Sequence, residues 1–157
     1  MTNPTENTPT VRTIGIRNVD FGINVTVIQP VNLYECAIGD DVFIGPFVEI
    51  QSMARIGART RVQSHSFICS LVTIGDDCFV GHGVMFINDD FKQGFPARHQ
   101  SDLWLRTTIA DHVTIGSNVT ILPVSICSHV VIGAGAVVTQ DIIEPGFYCG
   151  VPAVKIR

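Results

Sequence analysis

The chain is short of charge, of aromatic residues and of long apolar runs, and each shortage removes a class of function. Only 15% of its 157 residues are Asp, Glu, Lys or Arg, and the net charge of -4 comes with no basic cluster. That balance argues against a nucleic-acid partner, whose phosphates demand a basic footprint. No apolar stretch approaches the ~20 residues of a membrane span. The opening MTNPTENTPT lacks the apolar core of a signal peptide. It reads as a mobile tail, residues 1–10, ahead of a single domain over residues 11–157. The five cysteines are odd in number and form no CxxC pair, which excludes a simple disulfide framework and a zinc knuckle. Free thiols in a cytoplasmic protein are the expectation, with Cys78 at an inward position.

What the chain does have is a count of six. Ile38, Ile44, Ile50, Ile56, Val62, Ile68, Ile74, Val80 and Phe86 stand at every sixth place with no polar interruption. Four places after each comes a small or β-branched residue, among them Val42, Val48, Ala54, Thr60, Ser66 and Cys78. Glycine often follows the aliphatic residue, at Gly39, Gly45, Gly57, Gly75 and Gly81. A period of six fits neither the helix nor simple strand alternation. It is the hexapeptide repeat of a parallel β-helix. Three hexads make one triangular coil, and the branched residues stack inside it at the ~4.8 Å spacing of strands. The glycines are expected where the turning backbone adopts angles that a Cβ would penalise.

Two stretches break the count. Before Ile38, the residues Val19, Val25 and Val31 keep the spacing but stand out of phase with it. An opening coil with an irregular turn is expected there. The second break, residues 88–106, contains Gly, Pro, mixed charge, Phe91, Phe95 and the only tryptophan, Trp104. A loop of this length inside a compact repeat is uncommon and often functional. Its aromatics suit a loop that covers a ligand or a neighbouring subunit. The count resumes at Ile109, Ile115 and Ile121, loses one residue through ILPVSIC, and continues at Ile126, Ile132 and Val138.

Chemistry is sought among polar residues that the repeat does not need. His65 and His82 fall on the same side of adjacent coils; His112 and His129 occupy later turns, and His99 lies in the loop. A histidine in a turn serves equally as a hydrogen-bonded turn residue or as a base. Asn88 and Asp89 stand at the loop root, where Asn and Asp also cap turns with their side chains.

The words VNLYECAIG, FVEIQ, HSFIC, GHGVMFIND, IGAGAVVTQDI and GVPAVKIR resemble the left-handed β-helix N-acetyltransferases of nucleotide-linked amino sugars. The likeness runs from about Val19 to Arg157. VNLYECAIG and GHGVMFIND are the narrower motifs and resemble enzymes that acetylate a 3-amino group on a UDP- or dTDP-linked hexose. The resemblance implies an all-β, left-handed coil and a homotrimer with active sites between subunits. It implies acetyl-CoA as co-substrate, no metal, and a place in glycan or lipopolysaccharide biosynthesis. By the same likeness Asn88 lies beside the reacting amine. Asn32, Tyr34, Glu35, Glu49 and Gln51 form the sugar-nucleotide face, with His65 and Asp89 near it. Gly116, Ser117, Ala134 and Gly135 form the strip under the pantetheine arm, and Lys155 and Arg157 lie near the CoA phosphates. Two departures stand out. The loop after Asn88 is shorter than in relatives acting on UDP-linked uronic acids, which directs the expectation toward a dTDP-linked 6-deoxy-3-aminohexose. ILPVSI also lacks the usual glycine after Pro123.

Acyl transfer to an amine needs a neutral amine, alignment and a stabilised oxyanion. His82 is the natural candidate for the base. The alternative is that Asn88 orients an already neutral amine and the proton leaves to solvent or to the CoA sulfur. Two other classes compete. A zinc hydratase of the γ-carbonic-anhydrase kind uses this coil and three histidines, but its His-x4-His spacing is missing here. A non-catalytic trimeric scaffold would leave the aromatic loop and the polar VNLYE turn without a purpose.

Overall fold

The computed structural model describes residues 9–98 and 100–157. Apart from Pro9 and Thr10, the tail expectation lies outside the described residues, as does His99. The chain winds as a left-handed parallel β-solenoid with three sheets as its sides. The first sheet has seven strands, from Ile16–Arg17 to Val137–Val138. The second has six, between Asp20–Phe21 and Ser125–Ile126, and the third has eight, between Thr26–Val27 and Val154–Lys155. Three corners join them: the first leads from the first sheet to the second, the second from the second to the third, and the third back to the first.

The register explains the count of six. Ile38 lies under Ile56, Ile44 under Val62 and Ile50 under Ile68, so that each inward residue rests on its counterpart one coil away. All nine residues of the main inward column from Ile38 to Phe86 are at most 3% exposed. Burial of such side chains contributes about 1.5–3 kcal/mol each. The second inward column carries Thr60 and Ser66 without penalty, because each hydroxyl donates to a corner carbonyl of the next coil. Thr60 Oγ1 reaches Gly75 O and Ser66 Oγ reaches Gly81 O, both at 2.8 Å. Cys78 fills the place above Thr60 and its Sγ reaches Ala110 O at 3.2 Å. The five thiols are free, and burial pushes those of Cys36 and Cys69 up to about 11 and about 12.

The phase break before Ile38 resolves into two columns. Leu33 lies under Ile50 in the main column, whereas Val31 occupies the second column together with Val48. Val19 and Val25 pack against the core in that same second column. One residue is lost at the Tyr34–Glu35 turn, and the inner face keeps its direction.

The glycines differ from expectation. None of Gly39, Gly45, Gly57, Gly75 or Gly81 has a positive φ. Each lies where the next coil comes too close for a side chain: a Cβ on Gly45 would stand 2.8 Å from Ser64 N, and one on Gly81 2.7 Å from Ser117 N. The left-handed position comes two residues later and is mostly filled by ordinary residues, among them Asp41, Phe47, Arg59, His65 and Asp77 at φ 54–63. Their strain is offset by coil-to-coil hydrogen bonds from the same residues, such as Asp41 N to Ile23 O at 2.9 Å and Met53 N to Glu35 O at 2.8 Å.

The long loop leaves the first corner after Met85–Phe86 and returns at Thr107–Ile109. Ile74 then pairs with Ile109 as if the loop were absent. Past it the step between coils shortens, since Ile109 pairs with Ile126, matching the residue lost in ILPVSIC. The C-terminal segment closes the stack: Gly146–Cys149 extends the third sheet, and Val154–Lys155 turns back antiparallel against it.

Gly45→Ala tests the packing account. Overpacking of this kind costs about 1–3 kcal/mol, so chemical denaturation should show a loss of that size. Asp41→Gly, at a left-handed position two residues after a glycine, should instead fall within about 1 kcal/mol of the parent.

Candidate functional site

The outer face of the first sheet carries a line of polar side chains that climbs from coil to coil. Because strands stack in register, residues about 17 or 18 apart become neighbours. Arg17 donates to Asn32 Oδ1 at 3.3 Å, and Asn32 Nδ2 donates to Glu49 Oε2 at 3.1 Å. Gln51 Nε2 donates to Glu49 Oε1 at 2.9 Å. At the first corner Gln51 Oε1 faces Ser70 N at 3.4 Å, and Asn88 Nδ2 donates to Ser70 O at 3.2 Å. The line thus joins Asn32, Glu49 and Gln51 to Asn88. Tyr34 belongs to the same face: the Arg17 guanidinium lies 5.2 Å from its ring centroid. Burial first, and then the Glu49 carboxylate, raise the Tyr34 phenol above its ordinary value, against the pull of Arg17. Glu35 sits in the adjacent turn at φ 51 and is exposed.

Arg17, Ser52 and Ser70 are members of this face that the sequence reading missed. The signal of the two serines was present in the coil step, since Ser52, Ser70 and Asn88 follow one another at intervals of 18.

Asn88 is half-buried and its carbonyl accepts Leu105 N at 2.8 Å, which closes the loop at its root. Asp89 is occupied within the loop. Its Oδ1 accepts Phe91 N at 2.9 Å and its Oδ2 accepts Ala97 N at 2.7 Å. The loop's Phe91 and Phe95 are about half exposed, while Trp104 is partly covered.

A second group forms at the third corner. His65 stacks on Phe47, ring centroids 4.8 Å apart, and His82 in the next coil binds Ser64 Oγ through Nδ1 at 2.8 Å. The same corner continues through Gly116 and Ser117 to Ala134 and Gly135, where Asn118 N reaches His82 O and Gly135 N reaches Ser117 O. Gly135 has φ +72 and nothing within 4 Å of a notional Cβ, so the ledge is open above it. Beyond it the last strand, Val154–Lys155, returns antiparallel at the end of the third sheet, with Lys155 paired with Glu144 at 3.0 Å; Arg157, at the C-terminus, lies 5.2 Å from the Phe147 ring centroid. His112 and His129 stack on each other at the second corner, with ring centroids 5.0 Å apart.

His82 and Asn88 therefore occupy opposite ends of one side of the triangle, separated by up to about 20 Å of extended chain. Among the described residues no group of three or more His, Cys, Asp or Glu could hold a metal ion, so the zinc-hydratase alternative gains no support. Nor is any helix there long and apolar enough to cross a membrane.

Residues 71–85 and 106–140 match the family model described as the hexapeptide repeat of succinyl-transferase, and the gap falls on the loop. The bifunctional protein GlmU of Latilactobacillus sakei is 39% identical over 108 residues, 68% of this chain. The chain spans about a fifth of that relative's length, as the match covers 21% of it. A hexapeptide-repeat acetyltransferase of Vibrio cholerae, solved with acetyl-coenzyme A, superposes with a TM-score of 0.65. It is 26% identical, with 76% of this chain and 68% of that one covered. A variant of perosamine N-acetyltransferase from Caulobacter crescentus, solved with CoA and GDP-perosamine, also reaches a TM-score of 0.65. There the identity is 17%, with 89% and 56% of the two chains covered. The chain thus has the hexapeptide-repeat β-solenoid fold of acyl-CoA-dependent acetyltransferases.

The first-sheet line can be read through Tyr34, one of two tyrosines in the chain. Since Glu49 holds the phenol's proton on and Arg17 helps release it, Glu49→Gln should move the Tyr34 ultraviolet titration to lower pH. Arg17→Ala should move it to higher pH.

Proposed function

We propose that the chain is an N-acyltransferase that moves an acetyl group from acetyl-CoA to the 3-amino group of a nucleotide-linked amino-deoxyhexose. The nucleotide is dTDP or UDP, the working form is a homotrimer, and the product serves surface-glycan biosynthesis. The observation that carries this reading is the unbroken line of hydrogen bonds from Arg17 to Asn88. It connects the residues expected to hold a nucleotide-linked sugar with the amide expected beside its amine. Support for the donor comes from the open ledge at Gly135 and from the acetyl-coenzyme A complex of the Vibrio cholerae protein. Support for the acceptor class comes from the perosamine N-acetyltransferase, a fold relative solved with a nucleotide-linked sugar.

In the reaction the amine nitrogen attacks the thioester carbonyl carbon. The carbonyl oxygen becomes an oxyanion, and collapse expels the CoA sulfur, which ends as a thiol after proton uptake. Holding both substrates in line contributes up to about 7–11 kcal/mol to lowering the barrier. Asn88 orients the amine. The oxyanion is served by a backbone N–H at a coil turn. For the proton, His82 is favoured by its geometry: Ser64 Oγ lies 2.8 Å from Nδ1, and in the tautomer whose Nδ1–H donates to that hydroxyl Nε2 is unprotonated and acts as base. The other route passes the proton to solvent or to the CoA sulfur. Within one chain His82 and Asn88 stand a full side apart. A single reaction uses both only where the third corner of one subunit meets the first corner of the next, and this is the role of the trimer.

A thiol-release assay with acetyl-CoA against a panel of UDP- and dTDP-linked 3-amino sugars tests the reading. Turnover with at least one of them is expected, and none with any would end it. Asn88→Ala should lower turnover about 10²-fold while costing about 0.5–1.5 kcal/mol of stability for its lost hydrogen bond. His82→Asn should lower it about 10²-fold and abolish the acidic limb of the kcat/KM profile if histidine is the base. An unchanged limb would assign that limb to the sugar's own ammonium. Light scattering should give a trimer; a monomer would remove the shared site.

A further inference from the structure

We infer that Ser70, backed by Ser52 and Gln51, is the positioning element that fixes which atom of Asn88 meets the acceptor amine. The inference rests on the acyltransferase reading and names a residue set that acts behind the amide.

Ser70 is 2% exposed and uses all three of its polar groups at the first corner. Its carbonyl takes the Asn88 Nδ2 hydrogen at 3.2 Å, its N–H faces Gln51 Oε1 at 3.4 Å, and its Oγ lies 3.2 Å from Ser52 Oγ. A carbonyl oxygen only accepts, so the NH2 end of the Asn88 carboxamide must point toward Ser70. Its Oδ1 then points away. No described residue donates to that atom, and no buried side-chain N or O among the described residues lacks a partner. Oδ1 is therefore the atom presented to solvent and to a ligand.

The orientation of Gln51, which backs Ser70, is set by a charge. The Glu49 carboxylate accepts Gln51 Nε2 at 2.9 Å, and an ionised carboxylate can only accept. That turns Gln51 Oε1 toward the Ser70 N–H, while the carbonyl of the same residue, in the next peptide group, accepts from Asn88 Nδ2. Glu49 is held in place by Asn32 through its other oxygen at 3.1 Å. Gln51 and Asn88 are thus each held in one of their two flips, Gln51 by the Glu49 carboxylate and Asn88 by the Ser70 carbonyl. The consequence at the reacting end is chemical: Asn88 Oδ1 accepts one N–H of the acceptor amine and aims the nitrogen lone pair at the thioester, and takes no proton. The Ser52–Ser70 hydroxyl contact one coil back ties the Ser70 side chain to the preceding coil and so holds the residue in place at the corner.

The test uses Ser70→Ala and the half-exposed Ser52→Ala, each alone and combined with Asn88→Ala, in the full-length protein. Two readouts are taken. One is kcat and KM with the acceptor sugar; the other is the side-chain amide signal of Asn88 in protein labelled with 15N-asparagine, identified by its loss in Asn88→Ala. Ser70→Ala should lower kcat roughly 10- to 100-fold with KM unchanged, as misplacement of an aligned group does. Ser52→Ala should act in the same direction and more weakly. Neither should lower kcat further once Asn88 is alanine, and Ser70→Ala should shift the Asn88 amide signal. Losses that multiply in the double variants, or an Asn88 signal unmoved by Ser70→Ala, would overturn the inference. Absence of thiol release from the parent protein with every acceptor would instead defeat the acyltransferase reading, and the amide signal would still decide whether Ser70 holds Asn88.

Discussion

Everything in this molecule depends on the backbone hydrogen bonds that join one coil to the next. They hold strands about 4.8 Å apart along the stack, and they set the coil step at 17 or 18 residues through most of its length. From that step follows the inner column of branched residues, each resting on its own counterpart. From it also follows the need for glycine at the corners, where successive coils approach within a distance that excludes a Cβ. Most left-handed corner residues are secured by the same bonds, which explains how Phe47, Arg59 and His65 tolerate a conformation that ordinary side chains avoid.

The step also decides which functional residues can meet. On a solenoid, nearness in space is nearness in phase, and nearness along the chain means little. Asn32 lies one coil before Glu49 and Gln51, and Asn88 two coils after them, yet the four share one hydrogen-bonded line. His82 is only six residues from Asn88 and stands a whole side away. The protein has in effect two partial sites on one scaffold, a polar face ending at the loop root and a glycine-lined ledge beneath the two histidines. The proposed site between subunits would bring the two together.

How much of this was legible in the sequence follows from the same geometry. The inner columns were legible because they repeat without exception from Ile38 to Phe86, and so was the loop, because residues 88–106 break the repeat. The polar group at Asn32, Tyr34, Glu49 and Gln51 emerged from local motifs and gathers on one face as expected. The reason for the glycines was not legible: their constraint comes from a chain segment a full coil away, which no local pattern records. Ser70 and Ser52 were missed for a related cause. A serine in a turn is unremarkable until it is read against residues 18 places before and after it, where Ser52, Ser70 and Asn88 fall in line. The antiparallel return of the last strand, which carries Lys155, was not legible either, because it reverses the direction that the repeat would have continued.

The loop at the first corner has a consequence for how such proteins diversify. Phe86 and Ile109 keep their partners in the coils on either side, so the stack is blind to what is inserted between them. Loop-closure entropy grows only slowly with length. The segment beside the polar face is therefore free to lengthen, shorten or change its aromatics while the prism beneath it stays in register. Loop composition and structural integrity are carried by separable parts of one short chain, and selection can rewrite the first without renegotiating the second.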